Sequence, residues 1–205
     1  MRKHRTVLGL VAAVAGIALL VGGVATASNM GFKFVPQIPS GLFNLSLPWN
    51  NNYTDADSLF TDIAGCDRVA RVAPNGSFSS WLGFGVGGDN FPIVKGQAYL
   101  VDGGASGNTP VIVGSHDPNF TFSFSPGLYN AAAPYHQTYT NADGVFVALQ
   151  GTCPGLNRVA RIAANGSFSS WLGFGVGGDN FPLTLGEGVV VDVSAACSGF
   201  VWAHY

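Results

Sequence analysis

Charge is what this chain lacks. Only 10% of its 205 residues are Asp, Glu, Lys or Arg, against about 25% in ordinary soluble domains. Nine Lys plus Arg, with no basic stripe among them, exclude a nucleic-acid binder, which must neutralise a row of phosphates. Glu187 is the sole glutamate, so a glycosidase carboxylate pair would have to come mostly from Asp. Neither G-x-S-x-G nor H-E-x-x-H occurs, and His116, His136 and His204 have no nucleophile motif beside them. His116 and His204 fall near equivalent places at the ends of two repeats, a structural position. No enzyme is expected. With three Cys and no C-x-x-C spacing, zinc, haem and iron–sulfur sites are excluded as well. What is abundant is apolar: 47% hydrophobic residues, 15 Phe and 29 Gly, which no disordered chain resembles.

The missing charge is most conspicuous at the start. Arg2, Lys3, His4 and Arg5 precede an uncharged run, and Val7 to Ala25 is almost purely Leu, Val, Ala, Ile and Gly. Ala25-Thr-Ala27 before Ser28 is a small-x-small cleavage pattern. Residues 1–27 therefore read as a secretory signal peptide, or as an uncleaved membrane anchor of nearly sufficient length. Both place the remainder outside the cytoplasmic membrane, at the cell surface or beyond, by the general secretory route. Cleavage would remove three cations and none of the 11 acids, leaving a mildly acidic chain with no membrane segment. Export makes disulfides available. Cys153 and Cys197 are the candidate pair; Cys66 is left over, either buried and inert or free to pair between molecules.

The rest is one unit written twice. Asn75 to Pro92 recurs without a change as Asn165 to Pro182, and Arg68-Val-Ala-Arg71 recurs as Arg158-Val-Ala-Arg161. Gly41-Leu-Phe-Asn44 matches Gly127-Leu-Tyr-Asn130 upstream, and Gly96 and Asp102 match Gly186 and Asp192 downstream. The register between copies moves from 86 to 90 residues around Thr152 to Asn157. Two tandem domains, 28–117 and 118–205, follow, with no flexible linker between them.

Each copy reads as about six strands with one short helix, a mainly β fold that is sandwich-like or a partly open barrel. Phe120 to Ser125 alternates with period two, and Phe32-Lys-Phe34 less cleanly, so a strand opens each unit. Thr54 to Ile63 reads as the helix, with Thr54 as N-cap, Asp57 three residues on, and Leu59, Phe60 and Ile63 as its apolar face. Asn75-Gly76 predicts a hairpin with a type I′ turn. On its returning strand, Trp81 shares a face with Ser79, opposite Phe78 and Ser80.

Several residues are candidates for sites. Gly83 to Gly88 formally matches G-x-G-x-x-G, as does Gly173 to Gly178, but Pro92 and Pro182 stand where a phosphate-binding helix should begin. Asp89 and Asn90, with Asp179 and Asn180, offer oxygens for calcium, joined in space by Asp102; alternatively they serve the turn itself. Calcium is the only cofactor the sequence admits. Trp81 and Trp171, beside serines, are either stacking platforms for a sugar ring or packing residues, filling a core under the helix or the interface between repeats. Arg68, Arg71, Arg158 and Arg161 point to ion pairs with acids such as Asp67 or Asp62, or to a polysaccharide. Sequons lie at Asn44, Asn52, Asn75, Asn119 and Asn165.

Gly41-Leu-Phe-Asn-Leu-Ser-Leu-Pro48, Trp81, Asn90-Phe-Pro92 and Gly96-Gln-Ala-Tyr-Leu-Val101 together resemble tandem modules of exported bacterial surface proteins, a group without a named activity. The resemblance spans both repeats and implies a location rather than a chemistry. The expectation is an exported structural or assembly protein, a filament or surface-coat subunit associating through β edges, with the opening strand of Phe32 and Phe34 as the joining element. The alternative is a carbohydrate- or surface-binding module with equivalent sites around Trp81 and Trp171. Its partners would be further copies of itself or a cell-surface polymer.

Overall fold

The computed structural model describes residues 31–83, 85–173 and 175–203. The export signal expected at 1–27 and His204 lie outside the described residues. Phe32–Tyr205 forms one unit, and its elements follow the repeat. The first copy runs β1 (Phe32–Phe34), β2 (Leu42–Ser46), α1 (Ala56–Asp62), β3 (Arg68–Val72), β4 (Phe78–Trp81), β5 (Ala98–Asp102) and β6 (Ile112–Gly114). The second runs β7 (Phe122–Phe124), β8 (Gly127–Ala131), α2 (Ala142–Gln150), β9 (Leu156–Ile162), β10 (Phe168–Trp171), β11 (Val189–Val193) and β12 (Cys197–Phe200). Each copy builds an antiparallel four-stranded sheet, in the orders β2-β5-β3-β4 and β8-β11-β9-β10, and a two-stranded ribbon, β1-β6 or β7-β12. The fold is mainly β, and no sheet closes into a barrel.

Each sheet is apolar on both faces, for two different reasons. Val69, Tyr99, Val101 and Trp81 point to the repeat's own helix and ribbon, where Leu59, Ile63, Phe34 and Ile112 complete a core. The alternate residues Ala70 and Leu100 point the other way, onto Ala160, Ile162 and Val190 of the second repeat. A strand's period of two thus gives one strand two partners. The small Ala70 and Ala160 sit on the faces through which the sheets pack. The order of layers is ribbon and helix, sheet, sheet, ribbon and helix.

The helix starts one residue later than the sequence expectation. Asp55, not Thr54, is the N-cap: its carboxylate accepts from the Ser58 N–H at 2.9 Å, and Ser58 Oγ accepts from the Asp55 N–H at 3.2 Å. Ser58 therefore replaces the expected Asp57 as the reciprocal member of the capping box. In the second copy Asn141 takes the cap. Leu59 and Ile63 are buried and Phe60 is half-buried, as their spacing requires.

The hairpin forms where expected, with a different turn. Only Gly76 has positive φ, at +83°, and the Gly76 N–H bonds the Ala73 carbonyl at 2.9 Å. This is a type I turn over Pro74-Asn75 closed by a left-handed glycine: pairing of Ala73 with Ser77 leaves a three-residue connection, for which this is the usual geometry, where a type I′ turn over Asn75-Gly76 needs a two-residue one. Ala164 takes the place of Pro74 in the second copy and keeps the same geometry.

Candidate functional site

The feature shared most strictly by the two repeats is the outer border of each sheet. The Ala73 N–H bonds the Ser77 carbonyl, so Ser77, Ser79 and Trp81 turn their backbone groups toward β3. Phe78 and Ser80 then turn theirs outward. The Ser80 carbonyl is taken by the Asp89 N–H at 2.9 Å, and the Leu82 N–H bonds the Gly87 carbonyl at 3.1 Å, as the loop folds back against the end of the strand. The backbone of Phe78 and the N–H of Ser80 remain on the open border. The second copy repeats this, with the Asp179 N–H on the Ser170 carbonyl and the Leu172 N–H on the Gly177 carbonyl.

Around each border, apolar side chains stand exposed beside polar ones such as Ser77, Asp89 and Asn90. Phe78 is 47% exposed; Val86 and Val176, at the loop tips, are 74% and 72% exposed. The loop owes its shape to glycine. A Cβ on Gly88 would lie 2.3 Å from the Ser80 carbonyl oxygen, and one on Gly83 would lie 2.8 Å from the Phe60 ring. Both have positive φ, so a side chain is barred by conformation and by space. These glycines are not a nucleotide fingerprint: the next element after the loop is strand β5, and no helix follows Gly88 to point its amides at a phosphate.

Trp81 and Trp171 sit inside. Each is 7% exposed, in the core under its helix, and donates from Nε1 to an acid of that helix, Asp57 Oδ1 at 2.9 Å and Asp143 Oδ1 at 3.0 Å. A sugar ring needs an open indole face, and these have none. The platform reading is replaced by a packing one: the aromatic area goes to the core and the polar tip to a helix carboxylate.

The calcium reading is also corrected. Asp89 accepts from Arg71 Nη2 at 3.1 Å and from Ser79 Oγ, while Asn90 Oδ1 accepts from the Asp57 N–H at 2.9 Å, at the start of α1. Asp179 accepts from Ser169 Oγ, and Asn180 Oδ1 from the Asp143 N–H at 2.9 Å. The neighbouring oxygens go to different partners and do not converge, whereas calcium requires about six to eight together. Asp102 is drawn away by Arg68 at 3.4 Å. Among the described residues no His, Cys, Asp or Glu cluster has metal-holding geometry.

Arg68, Arg71 and Arg158 make the expected structural pairs with unexpected acids, while Arg161 lies 5.4 Å over the Phe181 ring. Arg158 reaches Asp192 at 3.0 Å as Arg68 reaches Asp102, and Arg71 pairs with Asp89 and lies 4.9 Å over the Phe91 ring. Antiparallel registry explains the choice, since Arg68 is directly opposite Asp102, a separation the sequence hides. Cys153 and Cys197 form the expected disulfide, and Cys66 is free and buried, its Sγ 3.2 Å from the Arg68 carbonyl. Burial pushes the Cys66 thiol up to about 11.

The opening strand is already committed within its own chain. Phe32 to Phe34 pair with Gly114 to Ile112 of β6, Phe32 lies 3.8 Å from Tyr135 between ring centroids, and Phe34 is buried over Gly186. It is not a loose strand waiting for a neighbour's edge. The sequon at Asn44 is buried, while those at Asn52, Asn75, Asn119 and Asn165 are exposed. Among the described residues no helix is long and apolar enough to cross a membrane.

Compared with family models, curated proteins and solved structures, the chain matches none.

The open borders themselves were not singled out by the sequence reading, although a signal was present. Across the 18 identical residues, the identity includes Phe78, Val86 and Gly85, which packing does not constrain, whereas the buried Leu45 and Leu100 are Ala131 and Val190 in the other copy.

Proposed function

We propose that the protein is a structural subunit of the cell exterior that assembles into filaments or coats through the borders β4 and β10. The observation that carries this reading is the duplication, within one compact unit, of a partly open strand edge that exposes a phenylalanine beside a valine-tipped glycine loop. An unpaired edge templates another strand. One such edge would close a dimer, because an isologous contact uses itself up; two on one subunit propagate. Scarce charge removes the repulsion that keeps exposed edges apart, and the disulfide suits the oxidising environment to which residues 1–27 would direct the chain.

The test is sedimentation across a concentration series, comparing wild type with a variant carrying Val86→Lys and Val176→Lys. Both side chains stand in solvent, so the fold is expected to survive the change. Wild type should grow in mass with concentration, and the variant should not. A wild type that stays monomeric at every concentration contradicts the proposal.

A further inference from the structure

The other edge of each four-stranded sheet is already taken by the opposite repeat. The Leu42 and Ser46 N–H groups of β2 bond the Ala164 and Gly186 carbonyls at 3.0 and 2.8 Å, and the Asn44 carbonyl accepts from the Gly188 N–H at 2.7 Å. On β8 the Leu128 and Ala132 N–H groups bond the Pro74 and Gly96 carbonyls at 2.9 and 2.8 Å. That leaves β4 and β10 for an outside strand, and few backbone groups on them are free. The Ser80 carbonyl is held by the Asp89 N–H, and the Gly76 N–H by the Ala73 carbonyl, both at 2.9 Å. Phe78 offers its N–H and its carbonyl, and Ser80 its N–H alone. The Gly76 carbonyl accepts no backbone bond among the described residues. The second copy repeats the pattern: the Gly166 N–H is held by Ala163 at 2.8 Å and the Ser170 carbonyl by Asp179 at 2.9 Å.

We propose that each border takes a second copy of the chain in one antiparallel register, with Phe78 or Phe168 directly opposite Phe78 or Phe168 of the neighbouring copy. This rests on the assembly reading above and fixes its geometry. In that register the facing phenylalanines exchange both backbone bonds, and each Ser80 N–H is opposite a Gly76 carbonyl. The two groups already bonded at home, the Ser80 carbonyl and the Gly76 N–H, fall opposite each other, so neither is needed. The neighbouring registers fail on the same groups. Centring the pair on Ser79 sets the Phe78 N–H against a Ser80 carbonyl that Asp89 holds. Centring it on Ser77 sets the Ser80 N–H against the Pro74 carbonyl, which Leu128 holds. Either shift leaves a covered donor facing an occupied acceptor, which is costly. The favoured register also brings together rings that are 47% exposed at Phe78 and 39% at Phe168. Facing Cα atoms would lie about 5.5 Å apart, a distance at which aromatic side chains pair favourably across strands.

The experiment is hydrogen–deuterium exchange on the wild-type chain, dilute and assembled, with the label read at each amide by nuclear magnetic resonance after dissolution in dimethyl sulfoxide. Assembly should slow exchange about tenfold or more at Phe78 and Ser80 together, and likewise at Phe168 and Ser170. Slowing at Ser80 without Phe78 would mark the register centred on Ser79, and slowing at Phe78 without Ser80 the one centred on Ser77. Either result overturns the register and leaves the assembly reading standing. Cross-linking with a short bifunctional thiol reagent gives a second readout, since Cys66 is buried. Assembled Phe78→Cys with Phe168→Cys should link between chains about tenfold faster than Ser77→Cys with Ser167→Cys, or Ser79→Cys with Ser169→Cys. A fastest link at either serine pair again overturns the register alone. Particles that sediment as assemblies with exchange unchanged at all four amides would remove the edge and both readings with it. A wild type that never assembles would do the same.

Discussion

Asn44 and Asn130 occupy the same position in the two repeats and hydrogen-bond each other twice, Asn44 Nδ2 to Asn130 Oδ1 at 2.8 Å and Asn130 Nδ2 to Asn44 Oδ1 at 2.7 Å. The pair is buried, and a residue that meets its own equivalent marks the internal two-fold. The backbone obeys the same symmetry: the Ser46 N–H bonds the Gly186 carbonyl, and the Ala132 N–H bonds the Gly96 carbonyl, both at 2.8 Å. Leu42 and Leu128 likewise bond Ala164 and Pro74, at 3.0 and 2.9 Å. The repeats therefore meet as an intramolecular dimer with an isologous interface.

Removing one amide should cost more than the bond itself is worth, because its partner is left buried and unsatisfied. Asn44→Ala is expected to lower stability by about 2 kcal/mol, measured by urea unfolding. Asn130→Ala should cost a similar amount, and the double variant much less than the sum, since both lose the same pair. Additive losses would show that the two amides do not act together.

The disulfide closes a loop between residues 44 apart in sequence and should contribute about 4 kcal/mol, chiefly by restricting the unfolded chain. Cys153→Ala with Cys197→Ala should lower the unfolding midpoint accordingly. Native protein should leave Cys66 unalkylated at pH 8, because the thiol is buried and its titration is raised to about 11. Unfolding should expose one reactive thiol per chain.

Each core indole is expected to matter through its N–H. Trp81→Phe keeps most of the apolar area but leaves Asp57 without its donor, and a bond to a charged acceptor is worth about 1.5–3 kcal/mol. Trp171→Phe, facing Asp143, should match it closely, because the local geometry is the same. Unequal costs in thermal or urea melts would contradict the equivalence of the repeats.

Glu187 sets a pH dependence. Burial raises its carboxyl above the ordinary value of 4.5, with a Thr184 hydrogen bond and Arg161 pulling the other way. The folded state then holds the proton more tightly than the unfolded one. The contribution is full below pH 4.5 and is lost as pH rises through the raised folded value. Glu187→Gln should therefore be more stable than wild type at neutral pH, the difference shrinking as pH falls toward 4. A melting temperature difference independent of pH would contradict this.

Much of the fold was legible because it rests on local patterns. The repeat announced two equivalent sets of strands, alternation in Phe120 to Ser125 marked the ribbon strand, and Asn75-Gly76 marked the hairpin. The differences came where a finer detail decided: the Ala73–Ser77 pairing left three residues for the turn instead of two, and Asp55 with Ser58 made a better box than Thr54 with Asp57. The site was harder to read. Trp81 shows the same alternation whether its face looks onto solvent or onto a helix, and the sequence does not say where α1 comes to rest. The acid opposite each arginine and the meeting of Asn44 with Asn130 depend on registry between distant strands, which no local signal carries. The open borders were legible in principle, in exposed residues kept identical between the copies.

The most direct measurement blocks the borders one at a time. Phe78→Lys with Val86→Lys alters β4 and its loop, and Phe168→Lys with Val176→Lys alters β10; solution mass is then read by light scattering. Wild type should form open-ended assemblies, either blocked form should stop at dimers, and the form blocked at both borders should be a monomer. Assemblies that persist with both borders blocked, or a wild type that never leaves the monomer, would contradict the account.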